Sequence, residues 1–297
     1  ARFERDWGIA SYTSIARDLG AMRAPATPLE EKLLEDDDPL PPSGAPAGGG
    51  GAEPWHRFPR GALAGQFLHE QLEWMAQEGF DVIHADNFDA RLAARCERAG
   101  WGQRHEELAA WLRVAAEAPL PPLGAALCQL EGALPETQFW LPAHALRSAA
   151  LDRLCGEHLL PGVARPPLQE RQLQGMLRGF MDLVFEWDGR YWVLDYKSNA
   201  LGQGDAAYHA GALAEAMARH RYDVQGAIYL LALHRLLQSR LGAGYDPARQ
   251  LGGAVFYFLR GAMHPATGGC CRLAPEAGFL ERLDAMFPRA LHEGAAA

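Results

Sequence analysis

The chain has 297 residues, 48% hydrophobic and 22% charged, enough for one sizeable core or for one core with a smaller helical region. Its 28 Lys and Arg face 37 Asp and Glu, a formal net charge of −9 that argues against a freestanding nucleic-acid binder built on a basic surface. No window approaches the roughly 18 uninterrupted apolar residues of a membrane helix, and no basic-then-apolar leader is present. Five scattered cysteines (Cys96, Cys128, Cys155, Cys270, Cys271) include no CxxC pair, so free thiols are expected rather than a zinc or iron–sulfur site or a disulfide framework. A cytoplasmic protein with no membrane partner is the expectation. The start at Ala1-Arg2-Phe3 suggests a piece of something longer.

Residues 1–35 read as an N-terminal segment, in which Ser or Thr of SYTSIARDL (11–19) would cap a brief helix. Residues 36–54 read as a flexible linker, because ten of the nineteen are Pro or Gly. From residue 55 onward a single domain is expected. Its helical part, 61–118, begins with Leu63, Phe67, Leu68, Leu72 and Met75 at helical spacing over 63–79, and continues with helices over 88–99 and 103–117. A catalytic core follows over 130–297, with strands at 137–146, 177–187 and 190–198, helices at 205–220 and 222–240, a strand at 254–259 and a helix near 276–291. The class is α/β: a mixed sheet flanked by helices, preceded by a helical region.

Asp188-Gly189 is a strong hairpin signal, since a type I′ turn needs positive φ at both positions. With those two residues as the loop, Trp187 faces Arg190, Phe185 faces Trp192, Leu183 faces Leu194, and Asp182 faces Asp195. Two carboxylates at such a pairing, with Cβ atoms about 5 Å apart, destabilise a sheet unless a cation sits between them. Hard Mg²⁺ or Mn²⁺ takes such oxygens. Side chains alternate along a strand, so Lys197 shares the face of Asp195 while Tyr196 points into the packing layer. Acids embedded in strands this apolar are usually functional.

At these residues the sequence resembles the nuclease domain of the RecB family of helicase–nuclease subunits, part of the PD-(D/E)XK group. The resemblance rests on GFMDLV (179–184) and LDYKSNALG (194–202), with Asp195-Tyr196-Lys197 as the acid-x-Lys element. SYTSI (11–15), GQFLH (65–69), PETQF (135–139) and QGAIY (225–229) fall in the family's order, so the likeness spans 11–260. It implies a metal held by His69, Asp182, Asp195 and the backbone carbonyl of Tyr196, with Mg²⁺ as the ion, Mn²⁺ substituting, and Ca²⁺ binding without supporting cleavage. Lys197 would be catalytic with Asp182 and Asp195, and Glu136 would sit near the metal or its waters. Gln225 and Tyr229, at i and i+4 on one helix face, would bind substrate or hold the site. His56, His84, His209 and His220 are expected at the surface.

The implied activity is an Mg-dependent deoxyribonuclease of exodeoxyribonuclease V type, an exonuclease and endonuclease acting on single-stranded and unwound linear DNA. It would serve a RecBCD-type complex in double-strand-break repair and recombination. No G-x-x-x-x-G-K-[ST] phosphate loop is present, so ATP hydrolysis and unwinding would belong to a helicase portion outside this chain, and RecC-like and RecD-like subunits would be its partners. Delivery of DNA by such partners also accommodates the acidic balance, because the domain then needs only weak, salt-dependent binding of its own. Two other readings compete. A non-catalytic module that guides DNA or contacts subunits would typically have lost the acids and the lysine. A freestanding Cas4-like protein would carry cluster cysteines, and a restriction enzyme would not usually combine DYKSN with Q-xxx-Y.

Overall fold

Apolar alternation and the Asp188-Gly189 turn build one mixed six-stranded sheet in the computed structural model, which describes residues 8–11, 15, 53–274 and 276–287. The strands are β1 (Gly8–Ala10), β2 (Leu134–Arg147), β3 (Gln172–Trp187), β4 (Arg190–Lys197), β5 (Leu251–Phe258) and β6 (Cys270–Leu273). The helices that cover them are α1 (Pro54–Arg57), α2 (Ala62–Glu78), α3 (Phe88–Arg98), α4 (His105–Glu117), α5 (Ser148–His158), α6 (Ala210–Arg219), α7 (Tyr222–Leu241) and α8 (Ala277–Met286). The α/β architecture expected from the sequence, a mixed sheet flanked by helices, is the one observed.

The hairpin forms as its turn chemistry requires. Asp188 and Gly189 have φ of +51° and +70°, and the register pairs Trp187 with Arg190, Phe185 with Trp192 and Leu183 with Leu194. β5 is buried along its whole length because it lies between β4, parallel to it, and β6, antiparallel to it, with both faces covered. On one face pack α2, α3 and α4 with Leu183, Phe185, Trp192, Leu194, Tyr196, Val255 and Tyr257. On the other pack α5, α6, α7 and α8 with Leu177, Met181, Val184, Val193, Phe256 and Phe258. Trp111 Nε1 donates to the Leu259 carbonyl at 3.1 Å, and Tyr257 donates its hydroxyl to the Ala115 carbonyl at 3.1 Å, tying α4 to the sheet.

β3 has two edges, and β2 runs antiparallel along one of them over almost its full length. The other edge is shared. β4 takes its end from Leu183 to Trp187, and β1 takes Gly175 to Leu177 in parallel. Between those two pairings β4 leaves β3 and carries on beside β5. The site residues expected from the sequence gather at that fork.

Several elements differ from expectation. The strand expected at 137–146 starts at Leu134, which places Glu136 inside β2 rather than in a loop before it. The helix expected over 205–220 is a 3₁₀ turn (Asp205–Tyr208) followed by α6, broken at His209, whose extended backbone (ψ 162°) ends the turn and whose Nδ1 accepts from Ala212 N–H. The terminal helix covers Ala277–Met286, and the stretch 288–291 lies outside the described residues. The expected linker falls almost wholly outside them, and its last residue, Pro54, opens α1. Within the N-terminal segment, Gly8–Ala10 is a sheet strand, and Ile15 is buried with its N–H on the Ser11 carbonyl at 3.2 Å.

Candidate active site

Strand register brings three carboxylates into one row. β2 and β3 pair Pro135 with Leu183 and Thr137 with Met181, so Glu136 stands opposite Asp182. β3 and β4 pair up to Leu183 and Leu194, where their ladder ends, and Asp182 and Asp195 are the next residues on the two strands. Asp195 in turn aligns with Phe256 of β5. The row is also where the pleat is irregular. Leu177 and Met181 belong to one core while Leu183 and Phe185 belong to the other, so strict alternation breaks at Asp182. Across from it Glu136 has φ +48°, an uncommon backbone for a residue with a side chain.

The two hairpin acids do not meet as a simple cross-strand pair. The ladder stops at Leu183–Leu194, and the Asp182 carboxylate takes the place of the next backbone acceptor, receiving Tyr196 N–H at 2.9 Å. The fork is thus held open by an acid that caps one of its arms. The N–H and C=O of a strand residue face the same neighbour, so the Tyr196 carbonyl lies on the fork side with Asp182. His69 comes from α2, where Phe67, Leu68 and Leu72 bury the same helical face, and its Nδ1 is 3.3 Å from Asp182 Oδ2. Its ring meets Tyr196 edge-on, with centroids 5.9 Å apart.

Asp195 is gripped from both sides. Its Oδ2 is 2.8 Å from Lys197 Nζ, and both side chains are almost fully buried. Its Oδ1 accepts from the Tyr229 hydroxyl at 3.0 Å and from Gln225 Nε2 at 3.3 Å, while Gln225 Nε2 also donates to the Tyr229 oxygen at 2.9 Å. Gln225 and Tyr229 are themselves buried, so in this structure they reach the acid rather than an open surface. The N-terminus of α7, which presents them, is fixed by a buried ionic cluster. Arg221 pairs with Asp223 at 3.1 Å and Asp152 at 2.7 Å, and Arg165 reaches Asp223 at 2.7 Å.

Every site residue expected from the sequence therefore lies at this fork: His69, Glu136, Asp182, Asp195, Tyr196, Lys197, Gln225 and Tyr229. Tyr222 and Asn199 were not singled out. The Lys197 ammonium stands 4.0 Å from the centroid of the Tyr222 ring, a cation–π contact in a dry setting. The Tyr222 hydroxyl donates to Asn199 Oδ1 at 3.3 Å. Asn199 lies in the DYKSN run, which is the signal that would have found it. Nothing in the sequence marks Tyr222. Burial, with Asp182 the next cause, pushes the Tyr196 phenol well above its ordinary value and keeps it neutral. Among the histidines assigned to the surface, His84 is exposed, but His56 is buried and bonds Asp205 at 2.8 Å, an acid that also accepts from Trp55 Nε1 at 2.9 Å. A histidine with a fixed carboxylate partner can be buried at little cost.

The donor set fits a divalent cation of the Mg²⁺ or Mn²⁺ kind. Glu136, Asp182 and Asp195 carry three formal negative charges against one positive on Lys197, leaving −2, which one such ion balances. Carboxylate oxygens, a carbonyl and an imidazole nitrogen are ligands these ions accept. Among the described residues no three His, Cys, Asp or Glu side chains stand together as a ready ligand group; the contact nearest to one is His69 with Asp182.

Comparison with known proteins identifies a family. Residues 50–291 match the model of the PD-(D/E)XK nuclease superfamily. The RecBCD enzyme subunit RecB of Escherichia coli strain K12 is 39% identical over 239 residues, covering 78% of this chain and 20% of that protein. The Haemophilus influenzae subunit of the same name is 39% identical over 236 residues (77% of this chain, 19% of the other). That of Mycobacterium tuberculosis strain CDC 1551 / Oshkosh is 30% identical over 303 residues, with 90% and 27% covered. The chain thus spans well under a third of the length of each of these relatives.

Proposed function

The chain belongs to the PD-(D/E)XK nuclease superfamily, and from that premise we propose that it is the Mg-dependent nuclease portion of a RecBCD-type enzyme, hydrolysing phosphodiesters of single-stranded and unwound linear DNA. The observation that carries this reading is the row Glu136–Asp182–Asp195 at a fork in the sheet, with Lys197 paired to its last member.

His69, Asp182, Asp195 and the Tyr196 carbonyl would hold Mg²⁺, with Mn²⁺ able to replace it and Ca²⁺ binding without cleavage. Such an ion supplies positive charge against the phosphodiester and acidifies water. Lys197, an ammonium held at Asp195, donates to the phosphoryl oxygens as charge builds on them during in-line attack. Glu136, opposite Asp182, accepts from the attacking water. Gln225 and Tyr229 hold Asp195 at the substrate strand. A carboxylate has about four lone-pair sites, so Asp195 can serve these partners and a cation together. Cleavage would leave a 5′-phosphate. The motor that unwinds DNA would be a helicase portion of the same polypeptide, with RecC-like and RecD-like subunits guiding the strands, in recombination and double-strand-break repair.

The test is degradation of linear single-stranded DNA with Mg²⁺ or Mn²⁺ by the wild-type chain, Asp195→Ala and Lys197→Ala. Wild type should cut, and both variants should lose activity by orders of magnitude while staying folded. A wild-type chain inert with both ions at low salt would overturn the catalytic reading in favour of a guiding module.

A further inference from the structure

The sheet does not end at the acidic row: Asp195 and Lys197 meet α7 on one side of it, Asp182 meets His69 of α2 on the other, and β2 and β3 run on beyond the row on that second side. Along β2 and β3 the residues Phe139, Leu141, Leu177 and Met181 point into the core beneath α7, so their neighbours Gln138, Trp140, Arg178 and Phe180 share the opposite face. Gln138 pairs with Phe180 and Trp140 with Arg178, in the same ladder as Glu136 and Asp182. His69 of α2 covers this face at Asp182; beyond it the face opens. Trp140 is 43% exposed and Ile9, beside Met176 at the far end, is 42% exposed, two of only five large hydrophobic residues exposed among those described. The Arg178 guanidinium lies 5.5 Å from the centroid of the Trp140 ring and 5.6 Å from that of Phe180. Its Nε is buried and lacks a hydrogen-bond partner among the described residues.

We propose that this open face is a stacking platform for single-stranded DNA leading to the acidic row, with Trp140 and Phe180 against bases and Arg178 on a backbone phosphate. The proposal rests on the nuclease reading above and adds how the strand is held. Flat aromatic faces around one guanidinium suit unpaired nucleotides, because every base offers a π-face and stacking tolerates any sequence. A guanidinium flanked by rings keeps its N–H edge for a phosphate. Trp140 lies four strand residues from Glu136, about 13 Å along the strand, so one extended strand can lie on the platform and reach the row. A duplex hides its base faces and gains nothing from the rings.

The test is fluorescence anisotropy of a labelled oligothymidine on the full chain, without divalent metal, across a salt series. Wild type, Trp140→Ala, Trp140→Phe, Arg178→Ala and Asp195→Ala are compared, with circular dichroism as the check on folding. Trp140→Ala should weaken binding roughly tenfold with an unchanged salt slope, and Trp140→Phe should restore most of it. Arg178→Ala should weaken binding and reduce the slope by about 0.7, the value for one phosphate on a single strand. If Trp140→Ala and Arg178→Ala bind as wild type does while wild type cuts and Asp195→Ala does not, the platform is wrong and the nuclease reading stands. Platform variants that bind the oligonucleotide normally but lose association with a partner subunit would identify the face as a protein interface and overturn the proposal. If wild type neither binds nor cuts, both readings fall.

Discussion

Removing one oxygen at residue 229 should show how far the site depends on the rigidity of Asp195. In Tyr229→Phe the hydrogen bond to Asp195 Oδ1 at 3.0 Å disappears, and Gln225 Nε2 loses its 2.9 Å acceptor while keeping Asp195 at 3.3 Å. A hydrogen bond to a charged group contributes about 1.5–3 kcal/mol. The surviving Gln225 contact puts the expected loss at the lower end, about 1.5 kcal/mol, which corresponds to roughly tenfold in rate. The ring itself stays, edge-on to Phe139 with centroids 5.9 Å apart, so packing and thermal stability should change little. The assay is the initial rate of single-strand degradation across a Mg²⁺ titration. We expect a roughly tenfold slower rate at saturating DNA and a higher Mg²⁺ requirement, the range found for residues that orient metal ligands. Tyr229→Phe with Gln225→Ala should fall short of the product of the singles, because both donate to one oxygen. Unchanged rate and Mg²⁺ dependence in both single variants would refute the claim that this pair positions Asp195.

Three further outcomes follow from the same geometry. Calorimetry should show the DNA-free chain melting several degrees higher at Mg²⁺ near a hundred times its Kd, a gain of about 2.7 kcal/mol; His69→Ala and Asp182→Ala should abolish the rise, and a wild type indifferent to Mg²⁺ would sink the ligand set. Gly226→Ala would set a methyl 2.4 Å from Leu273 Cδ1 and 3.0 Å from the Phe256 ring, lifting α7 from the sheet beside Gln225; urea unfolding should register a loss of about 1–3 kcal/mol together with reduced activity, and a neutral result would mean that the helix yields freely. The buried Tyr196 and Tyr257 phenols are pushed well above their ordinary value by burial, so the folded chain keeps two protons that the unfolded chain releases above about pH 10. Stability is then complete below that pH and declines as pH rises beyond it, by about 1.4 kcal/mol per pH unit for each phenol; urea midpoints unchanged between about pH 9.5 and 11.5 would contradict this.

What could be read in the sequence was local. The hairpin, its register and the shared face of Asp195 and Lys197 follow from a two-residue turn and the period of a strand, and the structure reproduces them. The pairing of Asp182 with Asp195 was read as a continuous ladder, whereas the strands part there and the carboxylate takes a backbone N–H. That departure depends on β1 and β4 sharing one edge of β3, which no local pattern encodes. β1 is three residues long, and β6 (CCRL) has no alternation to announce it. No local signal opens α5, since SAALDRLCGEH follows a strand without a capping side chain. His56 looked like a surface residue because its partner, Asp205, lies 149 positions away.

The acidic composition of the chain acquires a physical role in this arrangement. With a net charge of −9, long-range electrostatics repels DNA rather than steering it, so affinity has to come from terms that act at contact. A cation at the fork would cancel the local excess of negative charge only where the proposed reaction needs the phosphodiester. Stacking on Trp140 and Phe180, as proposed, would be short-ranged and indifferent to the charge of the rest of the surface, and Arg178 would supply one phosphate contact between them. Both forms of DNA meet the same repulsion, but on the proposed platform only an unpaired strand would offer base faces to offset it. On the reading proposed above, a strand already unwound and brought close would meet both requirements, and an acidic chain would suffice as the cutting part of a machine that unwinds elsewhere.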